Sequence, residues 1–311
     1  MPLSSLELCA GAGGQALGLE QAGFDHVALI ENDHTACDTL RINRPEWNVI
    51  EHDLFAPLDL REYRGVDLLS GGLPCPPFSV AGKQLGERDD RNLFNEGIRL
   101  VDELRPKAVM FENVKGILHP KFDDYRNGIL STLKRLGYTA SWKVLEAADY
   151  GVPQLRPRSI LIALKKSKTS DFNWPKGRRT SRTVGHALHK LMGQQGWRLV
   201  DEWRSRANSI APTLVGGSKK HGGPDLGPTR TKLAWASLGI DGSMLADAPP
   251  SPEFIGSPRL TIRMTARLQS FPSRWKFSGG KTAAYRQIGN AFPPPMAKAL
   301  GEEIVKALTQ K

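Results

Sequence analysis

The chain holds 311 residues, 40% hydrophobic and 24% charged, a globular composition that excludes disordered, collagen-like and coiled-coil chains. No apolar run approaches the roughly 20 residues of a membrane-spanning helix, and the N-terminus has no basic, apolar leader, which argues against secretion. The net charge of +11 is uneven: residues 1–164 carry −5, residues 165–258 carry +8 and residues 259–311 carry +8, a surplus of Lys and Arg that suits a polyanionic partner.

The first half alternates between strand and helix patterns. Leu3–Cys9 predicts a strand, followed by the turn Gly11-Ala12-Gly13-Gly14 and a helix that stops at Gly23. Short apolar runs at Val27–Ile30, Val66–Leu69, Ala108–Phe111, Trp142–Leu145 and Ile160–Leu164 predict further strands, and Val49-Ile50 precedes Asp53 at another strand end. Helices fit at 34–42, 92–104 and 122–136. This alternation predicts an α/β fold with a parallel, doubly wound sheet. From residue 165 the chain is rich in Gly, Pro, Ser and Arg, and 171–281 reads as a smaller, irregular basic domain. Met296–Leu308 returns to a helical pattern.

Three cysteines, Cys9, Cys37 and Cys75, are too few and too odd for a disulfide framework and suit a reducing compartment. Gly11, Gly13 and Ala16 match the G-x-G-x-x-G/A turn between strand and helix, and Glu31 lies at the end of the second strand. There a carboxylate can bond the ribose of NAD, FAD or S-adenosylmethionine, and Asp53 can accept from an adenine amino group. Cys75 lies between Pro74 and Pro76 after a central strand, where prolines stiffen the presentation of a nucleophilic thiolate. Cys9 and Cys37 read as small buried apolar residues. The charged, glycine-bearing tract Val80–Arg91 reads as a lid able to touch phosphates. Glu112 ends the next strand, where a protonated carboxyl can donate to a ring nitrogen. Arg156 and Arg158 open a later strand and, as alternate residues, share a face.

Taken in order, these segments resemble the DNA (cytosine-5)-methyltransferase family. The resemblance runs through Glu7–Gly14, Pro74-Cys75, Glu112-Asn113-Val114, Tyr150–Arg158, Arg259–Pro272 and Tyr285–Ala291, nearly the whole chain. It implies a Rossmann-like, S-adenosylmethionine-dependent sheet formed by 1–170 and 282–311, and a target-recognition domain at 171–281. It implies that Cys75 attacks C6 of a flipped cytosine, Glu112 holds a proton at N3, Asn113 fixes that loop, and Arg156 and Arg158 hold the O2 side. The cofactor would rest against Cys9, Ala10, Gly11, Ala12, Gly13, Gly14, Glu31, Asn32, Asp53, Leu54, Pro74, Leu93 and Asn290. Ser79, Lys83, Arg91, Arg204, Arg206, Thr213, Ser218, Lys219 and Lys220 would contact DNA. No metal is implied. The partner is double-stranded DNA, bound by a cytoplasmic monomer of bacterial type that is paired functionally with a restriction endonuclease.

The chain departs from the family pattern at Pro76 (usually Gln), Cys9 (usually Phe), Met264 (usually Glu), His52 (usually Gly) and Asp149 (often Asn). Rival readings are a tRNA cytosine-5 methyltransferase, a catalytically silent DNA-binding relative, and a nicotinamide oxidoreductase. The last accounts for the glycine turn alone.

Overall fold

Two strands, β1 (Leu3–Leu8) and β2 (Phe24–Glu31), end in four consecutive buried residues, and β5 (Ala108–Val114) begins with four. Runs of this kind belong to strands covered on both faces. The computed structural model describes residues 2–73, 93–166, 172–179, 182–218 and 222–310. Its seven-stranded sheet has the order β3-β2-β1-β4-β5-β7-β6, with β3 at Val49–Glu51, β4 at Leu68–Gly72, β6 at Tyr138–Glu146 and β7 at Pro157–Lys165.

The pairs β1–β2, β2–β3, β1–β4 and β4–β5 are parallel. The doubly wound sheet is as expected, and its parallel run ends at β7, which runs antiparallel to β5. The cause is the link from β6 to β7. It runs over 147–156 with a tight turn at Ala147–Tyr150, Gly151 in the left-handed region at φ 83° and no crossover helix, whereas a parallel return needs a crossover of about a dozen residues or more.

Helices α1 (Gly14–Ala22), α2 (His34–Asn43), α3 (Leu93–Leu104) and α4 (Asp123–Arg135) lie between the strands, close to the predicted spans. Asp33 caps α2 by accepting from the Thr35 and Ala36 amides. Leu6, Leu8, Ile30, Leu69, Val109, Phe111 and Leu161 build the core beside the sheet. Phe94 of α3 meets Phe111 edge-on and stacks on Trp142, both at 5.5 Å between ring centres, which ties α3 to β5 and β6.

The chain divides into two compact units, one of Met1–Leu145, Pro157–Lys176 and Ala297–Lys311, the other of Glu146–Arg156 and Gly177–Met296. The first holds the sheet. The second contains α5 (Val184–Met192), α6 (Val200–Arg206), α7 (Thr229–Ala236), α8 (Ile262–Leu268) and α9 (Lys281–Asn290), joined by long loops around buried Trp203, Trp235, Phe271 and Tyr285. Thr261 caps α8 by accepting from the Met264 amide, and the Met264 sulfur accepts the Thr261 N–H in return at 3.4 Å. A thioether thus takes the place of the carboxylate in a capping box, which gives the Met264 departure a local explanation.

Helix α10 (Pro294–Thr309) carries Gly301, where a Cβ would lie 2.7 Å from the Cβ of Ala22 on α1, so glycine permits the close approach of these two helices. Among the described residues, no helix is long and apolar enough to cross a membrane.

Candidate active site at the carboxyl edge of the sheet

The four inner parallel pairings send the ends of β1, β2, β3, β4 and β5 to one edge, and antiparallel β7 brings its first residues to the same edge. In open α/β sheets this is the edge that binds ligands.

At the end of β1 the chain turns through Cys9 at φ 54°, Gly11 at φ 54° and Gly13 at φ 80°. The Ala10 amide donates to Ile30 O at 3.1 Å, which seats the turn on β2. Glu31 fixes it from the other side: one carboxylate oxygen accepts the Gly11 N–H at 2.7 Å, and the other accepts the Asn32 and Asp33 amides at 2.9 and 2.8 Å. Burial raises the Glu31 pKa while these amides pull it down. A Cβ at Gly11 would meet nothing within 4 Å, so open space lies over the turn. Ala12, Gly13 and Gly14 are buried beneath it.

The outer rim is built from β3 and α3. Asp53 is exposed and accepts the Phe55 N–H at 3.0 Å, with Leu54 buried beside it. Asn32 is exposed and Leu93, the first residue of α3, is buried. Two carboxylates, a glycine turn at a helix N-terminus and flanking leucines form a donor and acceptor set that fits a nucleoside-bearing cofactor.

One residue here stands in the Glu7–Gly14 motif with no role assigned from the sequence. Glu7, on β1 beneath the glycine turn and opposite Ser70 of β4, is fully buried. Its signal was an acid in an apolar strand. Burial lifts its carboxyl from an ordinary 4.5 to about 8, against the pull of the Gln15 side chain, the Ala16 amide and Ser70. The unfolded chain releases this proton near pH 4.5 and the folded chain keeps it to about pH 8, so stability falls as pH rises through that window. Glu7→Gln carries no such proton. Its unfolding free energy, measured with denaturant from pH 5 to 8, is expected to decline less steeply than wild type, by up to about 1.4 kcal/mol per pH unit. An unchanged slope counts against a protonated Glu7.

At the centre of the edge, Arg158 Nε meets Glu112 Oε1 at 2.6 Å, with the two side chains 13% and 12% exposed. Register explains the pair: Glu112 lies opposite Gly72 of β4, and Arg158 enters β7 opposite Val114. Gly72 leaves room at the second oxygen, since a Cβ there would sit 3.4 Å from Glu112 Oε2. Buried Asn113 donates to Leu73 O at 3.1 Å and accepts the Val114 N–H at 2.8 Å. It therefore holds the backbone immediately before Pro74-Cys75. Asn113→Ala leaves that carbonyl without its donor, at a cost of about 1–3 kcal/mol; the expected result is a correspondingly slower covalent trapping rate at Cys75. A wild-type rate would remove Asn113 from the site.

Pro74, Cys75, Ser79, Lys83, Arg91, Lys219 and Lys220 lie outside the described residues. The other two cysteines have thiols that resist ionisation. Burial pushes Cys37 up to about 12, and burial together with the charges of Glu31, Glu7 and Asp53 pushes Cys9 well above its ordinary value. Cys37 is buried as expected, but Cys9 is half-buried.

The second unit holds the remaining predicted residues. The expectation that Arg156 and Arg158 share a strand face is not met: β7 begins at Pro157, so strand alternation does not extend to Arg156. Arg156 is buried completely and donates to Leu214 O at 2.9 Å and Gly289 O at 2.7 Å. Asn290 ends α9 and donates to Gly217 O at 3.1 Å. Arg204 and Ser218 are exposed. Exposed Arg206 lies against Ala236 O at 3.5 Å, and the Thr213 hydroxyl donates to Leu155 O at 2.5 Å. Asp149 pairs with Arg179 at 2.9 Å.

Known proteins are similar to this chain over nearly its whole length. The family model described as C-5 cytosine-specific DNA methylase matches residues 3–306. The type II methyltransferase M.NgoMIV of Neisseria gonorrhoeae is 52% identical over the full length of both chains. M.NaeI of Lentzea aerocolonigenes is also 52% identical, over 99% of this chain and 76% of its own. A crystal structure named for a prophage-encoded DNA modification methyltransferase of E. coli superposes with a TM-score of 0.69 at 25% identity, covering 99% of this chain and all of the other. With the strand order, the glycine turn and the Glu112-Asn113 edge on one side and matches over nearly the whole length on the other, the chain belongs to the C-5 cytosine-specific DNA methylases.

Proposed function

We propose that this methylase modifies one cytosine within a specific duplex DNA sequence, turned out of the helix, through a transient bond between Cys75 Sγ and C6 of the base. The observation that carries the reading is the Glu112–Arg158 pair at 2.6 Å, beside the Asn113 bond that holds Leu73 two residues before Cys75. A stacked base hides C6, so extrusion costs a few kcal/mol that contacts with the base and backbone must offset.

Cys75, as thiolate, adds to C6, and Glu112, a carboxylate paired with Arg158 in the free protein, takes up a proton from solvent with the base and holds it at N3 so that charge does not accumulate on the ring. Arg158 orients Glu112 and faces the O2 side. S-adenosylmethionine, when bound, supplies an electrophilic methyl group. Glu31 and Asp53 would hold its ribose and adenine, and the turn from Cys9 to Gly14 would line its pocket. C5 takes the methyl, solvent water takes the C5 proton as the double bond re-forms, N3 gives its proton back to Glu112, and Cys75 leaves C6 as the thiolate. Division of one difficult step into two easier ones is the benefit of the covalent route.

The basic second unit meets the duplex. The type II names of the relatives support a partner nuclease that cuts the same sequence. Affinity for a cognate duplex is expected to fall with added salt, with a logarithmic slope of about −0.9 per phosphate neutralised; a flat response removes the basic unit as the DNA surface. The decisive experiment expresses the protein in a methylation-free host and sequences its DNA after bisulfite treatment. Protection of cytosines in one sequence context is the expected result, and uniformly converted DNA overturns the reading.

A further inference from the structure

The buried polar side chains of the second unit converge on one backbone segment. The Leu155 amide donates to Ala211 O at 2.8 Å and the Ala211 amide to Pro153 O at 3.1 Å. Gln154 accepts the Leu214 N–H at 2.9 Å and donates to Gln269 Oε1 at 2.6 Å. Arg156 takes the carbonyl of the same Leu214, and its second nitrogen takes Gly289 O at the end of α9. Asn290 closes the far side on Gly217 O. Gln154, Arg156 and Gln269 are all fully buried. A side chain at Gly289 would run into the Gly216 backbone, so the segment lies directly on the end of the helix.

The result is a loop held at both polar groups of Leu214. Leu214 and Gly216 are buried, while Val215 is 42% exposed and Ser218 is exposed. An exposed β-branched side chain on a backbone held through buried Gln154 and Arg156 is presented rigidly. Little entropy remains to be lost when a partner meets it.

We propose that Arg156 is a positioning residue for sequence recognition: by clasping Leu214 O and Gly289 O it sets the 213–218 loop so that Val215 and Ser218 read the duplex. The proposal rests on the DNA reading above and gives Arg156 a place away from the reacting base.

The test compares Arg156→Lys, which keeps the charge and loses the two-pronged fork, with Val215→Ala and the double variant. For each protein, kcat and KM are measured on the cognate duplex and on duplexes with one altered base pair. Amide hydrogen exchange is followed over 212–218. Arg156→Lys is expected to speed exchange in that segment, to raise KM for DNA, and to cut discrimination about tenfold, the scale of one mismatched base pair. Val215→Ala is expected to cut discrimination alone, and to add nothing in the Arg156→Lys background.

Loss of kcat at saturating DNA with intact discrimination and additive effects would return Arg156 to the reacting base and overturn the proposal. Full discrimination in Val215→Ala overturns it as well, even if the Arg156 variant does not fold. A wild-type protein that methylates no duplex contradicts the DNA reading itself, an outcome distinct from either of these.

Discussion

Cys75→Ser is expected to leave duplex binding measurable and to abolish methyl transfer, a drop of at least ~1,000-fold, or about 4 kcal/mol in the barrier. A serine hydroxyl does not ionise near neutral pH, so the attack on C6 loses its nucleophile. Cys9 and Cys37 cannot substitute, because burial raises both of their thiol pKa values. The readout is a denaturation-resistant adduct with an oligonucleotide carrying 5-fluorocytosine at the target, in which the missing C5 proton blocks release. Wild type and Cys37→Ala should form it and Cys75→Ser should not. An adduct in Cys75→Ser would assign the bond to another residue.

The second large effect concerns Glu112 and Arg158. Glu112→Gln keeps the shape and removes the acid, and methyl transfer should fall by ~100-fold or more, the usual worth of a positioned proton donor. Arg158→Met acts differently. It leaves a mostly buried carboxylate without its partner, and breaking such a pair costs about 3–5 kcal/mol of stability. The double variant Arg158→Met/Glu112→Gln removes both charges, so it should regain much of the stability and none of the activity. Denaturant unfolding and methyl incorporation together separate the two roles. A double variant no more stable than Arg158→Met would deny that the pair is coupled.

Much of the first unit was legible because its signals are local. Apolar runs marked β1, β2, β4, β5 and β7, and the glycine turn with Glu31 twenty residues after Gly11 marked the edge. The direction of β7 was not legible, since it depends on a connection with no crossover helix. The Glu112–Arg158 pair follows from that direction, so its geometry was equally hidden, although both residues were named. Strand alternation does not place Arg156, because that residue lies one position before the strand begins. Glu7 is named in the motif but its buried state is hidden, because an acid in a strand stands out only when its surroundings are known to be dry. In the second unit the helices are short and the loops long, so periodicity had little to act on, and only the family order of motifs pointed to its task.

The contact of Gly301 with Ala22 bears on how the enzyme is made. Helix α1 leaves the ribosome early, and its packing partner α10 emerges only after the whole second unit has been translated. Until then Leu19 and Ala22 lack their cover, and the nascent chain carries an unfinished core. Contacts this distant in sequence make folding slow. Truncation before Gly301 is therefore expected to leave this face of α1 without its cover.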